Sequence, residues 1–134
     1  MDQYTIPVLL CEYLNDMDPE GDISFVPETW REGAASLMLA GGVTAVREYV
    51  DGSSVVSVPF EVRLRCGHTS IKERLDAVDF FSKIDAYVAE VPVSSSGTEI
   101  GRVSPVGGTF KSAVYENGEE EYRSSFTFRY LKKA

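Results

Sequence analysis

The side chains best suited to chemistry in this chain are one histidine and two cysteines. Cys66 and His68 stand two positions apart, a spacing that zinc ligands use, but a structural zinc site needs four ligands and the sequence has no second pair. A serine or cysteine nucleophile would need His68 as its base and a third group to orient the ring, and no such group can be identified. We therefore expect an exposed histidine at the end of a strand, and a protein that is not an enzyme and carries no metal or cofactor.

Carboxylates form two clusters. The first occupies a connector that lacks the ligand order and closing glutamate of a calcium loop, which favours a turn; its members are Asp16, Asp18, Glu20 and Asp22. The second lies at the tip of a predicted hairpin, where exposure would leave ordinary acidity and little catalytic value; its members are Glu119, Glu120 and Glu121.

Composition indicates one domain. The chain has 134 residues, 43% of them hydrophobic, and a formal net charge of −8. This charge argues against a conventional nucleic-acid binder, which needs lysine and arginine on phosphates, but it suits a protein that DNA passes without sticking, or simply a solvated surface. The absence of a signal-like or membrane-length apolar run predicts a soluble protein made in the cytoplasm, with Cys11 and Cys66 as small buried residues.

The segment from Tyr49 to Cys66 predicts a hairpin with a half-buried second strand. One side of its period-two pattern is apolar, with Val56, Val58, Phe60, Val62, Leu64 and Cys66. Glycine at Asp51-Gly52 supplies the positive φ of a tight turn. A three-residue loop, Asp51-Gly52-Ser53, would set Val46 opposite Val58 and unite the apolar faces, so burial favours that register over a two-residue loop.

A second hairpin is predicted from Thr109 to Leu131. Its second strand alternates strictly, with the apolar or small residues Tyr122, Ser124, Phe126, Phe128 and Tyr130 on one side. By the same burial argument we expect a three-residue loop, Asn117-Gly118-Glu119, which pairs Val114 with Tyr122 and Phe110 with Phe126.

The remaining elements complete an α+β pattern. Helical spacing covers residues 3–17, and a capping box of Ser70 and Glu73 opens a second helix that ends before Pro92. Short strands are expected at 23–26 and at 99–103, the latter followed by a break at 104–108. A bent strand is expected from 37 to 50, and a helical turn at the start of residues 34–40 is the alternative. The predicted fold is a single α+β domain over 1–134, an antiparallel or mixed sheet with two helices packed on one face.

Trp30 is the only tryptophan and lies in a polar loop. A tryptophan in such a place is either a contact for a partner or the residue that closes one end of the core. The sequence alone leaves both interpretations open.

The order of these motifs resembles the tail terminator (tail-completion, "minor capsid") proteins of long-tailed bacteriophages. The resemblance rests on the Tyr49-Val-Asp-Gly-Ser turn, the Pro59-Phe60 start of an alternating strand that ends in arginine, the single helix after it and the terminal aromatic hairpin. It spans about Trp30 to Tyr130, and its specific part is Tyr49 to Arg65.

The resemblance implies a structural virion protein. Such a protein forms a homo-hexameric ring at the head-proximal end of the tail, stops polymerisation of the tail tube and presents a docking face to the head–tail connector protein, while genome DNA passes through. We expect the acidic clusters to line the channel or the interfaces, and the free subunit to be monomeric in solution. The alternatives are a head-completion or neck protein, and a monomeric module that binds peptides by strand addition.

Overall fold

The computed structural model describes residues 5–18, 23–27, 34–66, 71–116 and 118–133, with the backbone alone for residue 66 and for 71–75. Within these residues there are two helices and seven strands, and the strands form one mixed sheet. In chain order they are α1 (Thr5–Asn15), β1 (Ser24–Pro27), β2 (Ala34–Leu39), β3 (Thr44–Glu48), β4 (Ser54–Cys66), α2 (Ile71–Glu90), β5 (Val93–Ser95), β6 (Thr98–Val114) and β7 (Glu120–Lys132). The strand order is β1-β2-β4-β7-β6-β5, and β3 also pairs with β4.

The centre of the sheet is the antiparallel pair β4–β7. Its register is unbroken from Ser54 opposite Lys132 to Cys66 opposite Glu120. Because side chains alternate along a strand, every second residue of both strands faces the same layer. The buried members of that layer include Val58, Phe60 and Val62 from β4, with Phe126 and Phe128 from β7.

Both helices cover this apolar face. Helix α1 buries Ile6, Leu10 and Leu14, and α2 buries Ala77, Phe81, Ile84 and Val88, all in one core cluster with the sheet. The helices are joined by two tyrosines: the Tyr13 hydroxyl donates to the carbonyl oxygen of Val91, and the Tyr87 hydroxyl donates to that of Tyr13 at 2.9 Å. The predicted α+β class, with two helices on one face of the sheet, is confirmed.

The first hairpin has a three-residue loop, but its position differs from the prediction. Tyr49 N donates to the Ser53 carbonyl oxygen at 2.9 Å and Gly52 N donates to that of Tyr49 at 3.0 Å, so the loop is Val50-Asp51-Gly52. Gly52 has φ of 88°, and the Asp51 carboxylate accepts a 2.9 Å hydrogen bond from Ser53 N. The predicted loop, Asp51-Gly52-Ser53, is therefore wrong by one residue.

The predicted pairing of Val46 with Val58 is also wrong. Ala45 lies opposite Val56 and Arg47 opposite Val55, and Val46 is the extra residue of a bulge between them. All five residues of β3 are exposed, so no burial of Val46 selects the register. Turn geometry sets it instead.

The second hairpin repeats this arrangement. Tyr115 N donates to the Glu119 carbonyl oxygen at 2.8 Å and Gly118, with φ of 87°, donates to that of Tyr115 at 3.0 Å, so the loop spans 116–118. The predicted loop, Asn117-Gly118-Glu119, is thus one residue too late in the chain; Asn117 itself lies outside the described residues.

The predicted pairs across the second hairpin are wrong as well. Val114 lies opposite Glu120 because the loop begins one residue earlier than predicted, and Phe110 lies opposite Arg123 because an irregularity between Lys111 and Ala113 shifts β6 by one more residue. Phe110 and Val114 are 51% and 62% exposed. Matching of apolar faces therefore does not act on this part of β6.

Three smaller differences concern strand boundaries. Strand β6 continues through the predicted break at 104–108, with Gly107 at φ of 78°. Residues 93–95 form β5, because Ser96 and Gly97 both adopt positive φ and turn the chain back. The predicted bent strand is two strands, β2 and β3, which pair with successive parts of β4.

Gly101 is the position where the sheet is least able to accept a side chain. A Cβ atom there would lie 2.4 Å from the Arg129 carbonyl oxygen and 2.7 Å from Cε1 of Phe128. We expect Gly101→Ala to lower the free energy of unfolding by about 1–3 kcal/mol in urea titrations, as overpacking does. Gly108→Ala is the matched control, since nothing lies within 4 Å of its Cβ position; equal losses in both variants would contradict the steric account.

Gly52 tests the turn geometry. Its φ of 88° is a conformation in which a Cβ is strained. We expect Gly52→Ala to cost about 1–2 kcal/mol of unfolding free energy. Gly42→Ala, at a site with open space and no positive φ, should be close to neutral in the same titration; a neutral Gly52 variant would refute the assigned loop.

Candidate interface on the helix-free face of the sheet

The sheet face opposite α1 and α2, here called the helix-free face, is polar and rich in arginine. Because side chains alternate along a strand, the β4 and β7 side chains that do not face the helices point towards this face. Most of them are partly buried. In the part of the chain that the structure describes, no element covers this face. Its charged residues on these two strands are Glu61, Arg63, Arg65, Glu121, Arg123 and Arg129.

Two arginines oppose each other at the centre of this face. Arg63 and Arg123 are direct cross-strand partners, and like charges in that position destabilise a sheet. Glu61 relieves the repulsion by accepting from Arg63 Nε at 3.0 Å and from Arg123 Nη1 at 3.2 Å. With only 13% of its side chain exposed, Glu61 acts as a carboxylate bridge over the arginine pair.

Glu121 is held by hydroxyl groups as well as by charge. Its carboxylate accepts hydrogen bonds from the Ser112 hydroxyl at 2.9 Å and from the Tyr115 hydroxyl at 2.6 Å, and Arg63 Nε lies 3.9 Å away. Burial by itself would raise the pKa of Glu121, but these hydrogen bonds and the charges of Arg63 and Arg123 together lower the pKa below its ordinary value. The group therefore stays ionised at neutral pH.

Arginine–aromatic contacts extend the network to the hairpin. Arg65 Nε lies 2.9 Å from a Glu119 oxygen, and its guanidinium lies 3.5 Å from the centre of the Tyr115 ring. The guanidinium of Arg123 lies 5.6 Å from the ring centre of Phe110. Such contacts fix the flat guanidinium groups in place on the face.

Glu120 points the other way, towards the helix side of the sheet. It is only 3% exposed, accepts a 3.0 Å hydrogen bond from the Tyr122 hydroxyl, and lies 3.6 Å from Lys111 Nζ. The exposed acidic tip predicted from Glu119, Glu120 and Glu121 is therefore wrong. Hydrogen bonds and ion pairs hold all three, so none of them is a freely exposed carboxylate.

The other predicted site residues have separate outcomes. Asp16 and Asp18 are exposed just after α1. Glu20, Asp22, Trp30 and His68 lie outside the described residues. The assignment of any of these acids to a channel stays a prediction.

Exposed acids lie on the helix side of the molecule. The described charged side chains of α1, the residues after it and α2 are Glu12, Asp16, Asp18, Asp76, Asp79, Lys83, Asp85 and Glu90. Between the helices, a groove of about 560 Å³ has Leu14, Phe25 and Phe80 in its lining, together with Asp18, Asp76, Asp79 and Lys83. We call this surface the acidic helix layer; it contrasts with the arginines of the opposite face.

Other candidate sites are few in the described part of the chain. Cys11 is a free thiol, and burial raises its pKa to about 12, which makes it unreactive at neutral pH. Among the described residues, no group of three or more His, Cys, Asp or Glu side chains is placed to hold a metal ion. The described helices are too short or too polar to cross a membrane.

The arginine network was not predicted from the sequence. The alternation places Glu61, Arg63 and Arg65 on one side of β4, but their partners are visible only once the β4–β7 register is known. Comparison with known proteins finds no matching family model and no matching curated protein. Function is therefore argued from the sequence resemblance and from this geometry.

Glu121 predicts a pH dependence of stability. Because its folded-state pKa is lowered, it stabilises the fold above the ordinary carboxyl pKa, and this contribution is lost as the pH falls through the lowered value. Glu121→Gln should therefore lower the free energy of unfolding at pH 7 and flatten its fall below about pH 4.5 in urea titrations. Glu116→Gln, an exposed carboxylate in the same hairpin, should leave the profile unchanged; a wild-type profile in the Glu121 variant would refute the assignment.

Proposed function

We propose that this protein is a structural virion component of the tail-terminator type. It forms a homo-hexameric ring at the head-proximal end of a phage tail, stops growth of the tail tube and joins the tube to the head–tail connector protein. Genome DNA passes through the ring without specific binding. The proposal builds on the sequence resemblance, and the structure adds one supporting observation.

That observation is the helix-free face. A sheet of seven strands is covered by helices on one side, while its other side carries arginine, tyrosine and phenylalanine within the described residues. Arginine and aromatic residues are the types enriched at protein–protein interfaces. A subunit of 134 residues needs several copies to build a large surface, and an uncovered sheet face offers an area for contact between copies.

A second feature favours the alternative of a strand-addition module. Residues 102–114 of β6 pair with β7 on one side, and within the described residues nothing pairs with their other side. An open edge of this length is a template for another strand. Pro105, which lacks an N–H, and the irregularity after Val106 interrupt that edge, so we place strand addition second.

Deletion of the gene in the phage that encodes this chain tests the proposal. Without a terminator, the tube has no stop signal, so we expect filled heads and abnormally long, unattached tails in negative-stain images. Expression of the wild-type protein from a plasmid is the control and should restore normal virions.

Other outcomes of the deletion favour the alternatives. Tails of normal length with heads that leak DNA would indicate that the protein is a neck protein and not a terminator. Unaffected virions would contradict both and leave the strand-addition module.

A further inference from the structure

A second pair of arginines faces each other on the helix-free face. Arg102 lies directly opposite Arg129 in the β6–β7 register. Among the described carboxylates, only the exposed Glu99 lies within ion-pair distance of Arg102, at 3.6 Å, and none lies within that distance of Arg129. The Arg63–Arg123 pair shows how this sheet resolves such repulsion, since Glu61 bridges both arginines. Within the described residues, Arg102 and Arg129, here called the outer pair, have no equivalent bridge, and a carboxylate from another molecule would complete the arrangement.

Exposed apolar side chains share this face with the two arginine pairs. Leu131, two residues beyond Arg129, is 50% exposed; Val106, opposite Ser125, and Phe110, opposite Arg123, are 54% and 51% exposed. Their register with β7 and β4 places all three on the helix-free face. A surface that combines arginine with apolar and aromatic groups is typical of an interface core.

The complementary surface is on the same molecule. The acidic helix layer presents exposed carboxylates, including Asp76 and Asp79, beside an apolar groove. The strand register places the outer arginine pair on the opposite side of the sheet, so the two surfaces of one copy face away from each other. A second copy can bring one surface against the other.

We propose that the helix-free face, centred on Arg102 and Arg129, binds the acidic helix layer of a second copy of this chain. The contact joins two different surfaces, so each bound copy leaves one of each kind free, and repetition gives a closed ring when the rotation permits. This inference rests on the proposed function, for which it supplies the subunit contact. A nucleic acid is the less favoured occupant, because the net charge of −8 repels phosphate.

Charge-reversal variants test the contact. The sheet variant carries Arg102→Glu and Arg129→Glu, and the helix variant carries Asp76→Lys and Asp79→Lys; all four side chains are exposed. Association of the purified proteins is measured by sedimentation velocity up to about 1 mM protein, where contacts near −4 kcal/mol become visible. Salt is kept at about 50 mM to limit screening.

We expect wild-type protein, which is expected to be monomeric when dilute, to self-associate in a salt-sensitive manner as its concentration approaches about 1 mM. Each variant alone should associate about 100-fold more weakly, because like charges then face each other. An equimolar mixture of the two variants should recover association, since both of its alternating contacts pair opposite charges. The control, Lys132→Glu with Lys133→Glu, makes the same change in net charge at exposed positions outside the proposed contact and should behave as wild type apart from a small general effect.

Several results would overturn the inference. These are a wild-type protein that stays monomeric under these conditions, variants that associate normally, or a mixture that fails to recover. Retention of a short DNA duplex by wild type but not by the sheet variant, without self-association, would assign the arginines to a polyanion instead. If the contact is absent, the gene-deletion experiment still tests the proposed function independently. If the mixture recovers association but virions are unaffected by the deletion, the contact is retained and the tail function is rejected.

Discussion

The antiparallel pairing of β4 with β7 is the constraint on which the rest of the structure depends. It runs without a bulge along both strands, from Ser54 opposite Lys132 to Cys66 opposite Glu120. Phe60 lies directly opposite Phe126, and their rings stack with centres 5.5 Å apart. A shift by one residue would turn this apolar layer towards water and the charged layer towards the helices. Both the core and the helix-free face follow from that single register.

The two faces are stabilised by different interactions. On the helix side, burial of aromatic and aliphatic side chains provides the favourable free energy, and Tyr13 and Tyr87 hold α1 against the end of α2. On the helix-free side, ion pairs contribute little net stability because they are partly solvated. Removing one partner would leave a half-buried charge unpaired, so replacing Glu61 or Glu121 costs more stability than the small net contribution of the ion pairs suggests.

The sequence was sufficient where a periodic pattern and burial act together. The alternation in β4 and β7 and the apolar positions of α2 were predicted because each has a face buried in the core. The registers of β3 and β6 were predicted wrongly. Val46, Phe110 and Val114 are exposed, so burial does not favour one register of these strands over another. Glycines at φ of 88° and 87° identified both turns, although the loops start one residue earlier than expected. The arginine network could not be predicted, because it depends on strand registers that local sequence patterns do not determine.

The contrast between the two arginine pairs is the feature of this face that bears most directly on function. Both are cross-strand neighbours in one sheet. Glu61 bridges the inner pair, Arg63 and Arg123, whereas no described carboxylate bridges the outer pair. Two arginines placed together without a bridging anion raise the energy of the isolated subunit, and a partner that supplies the anion removes that cost. Since the exposed carboxylates of the acidic helix layer lie on the far side of the same subunit, we propose that a neighbouring copy supplies the anion. A subunit with two complementary and dissimilar faces then gains stability by head-to-tail association, and any assembly built in this way has a direction.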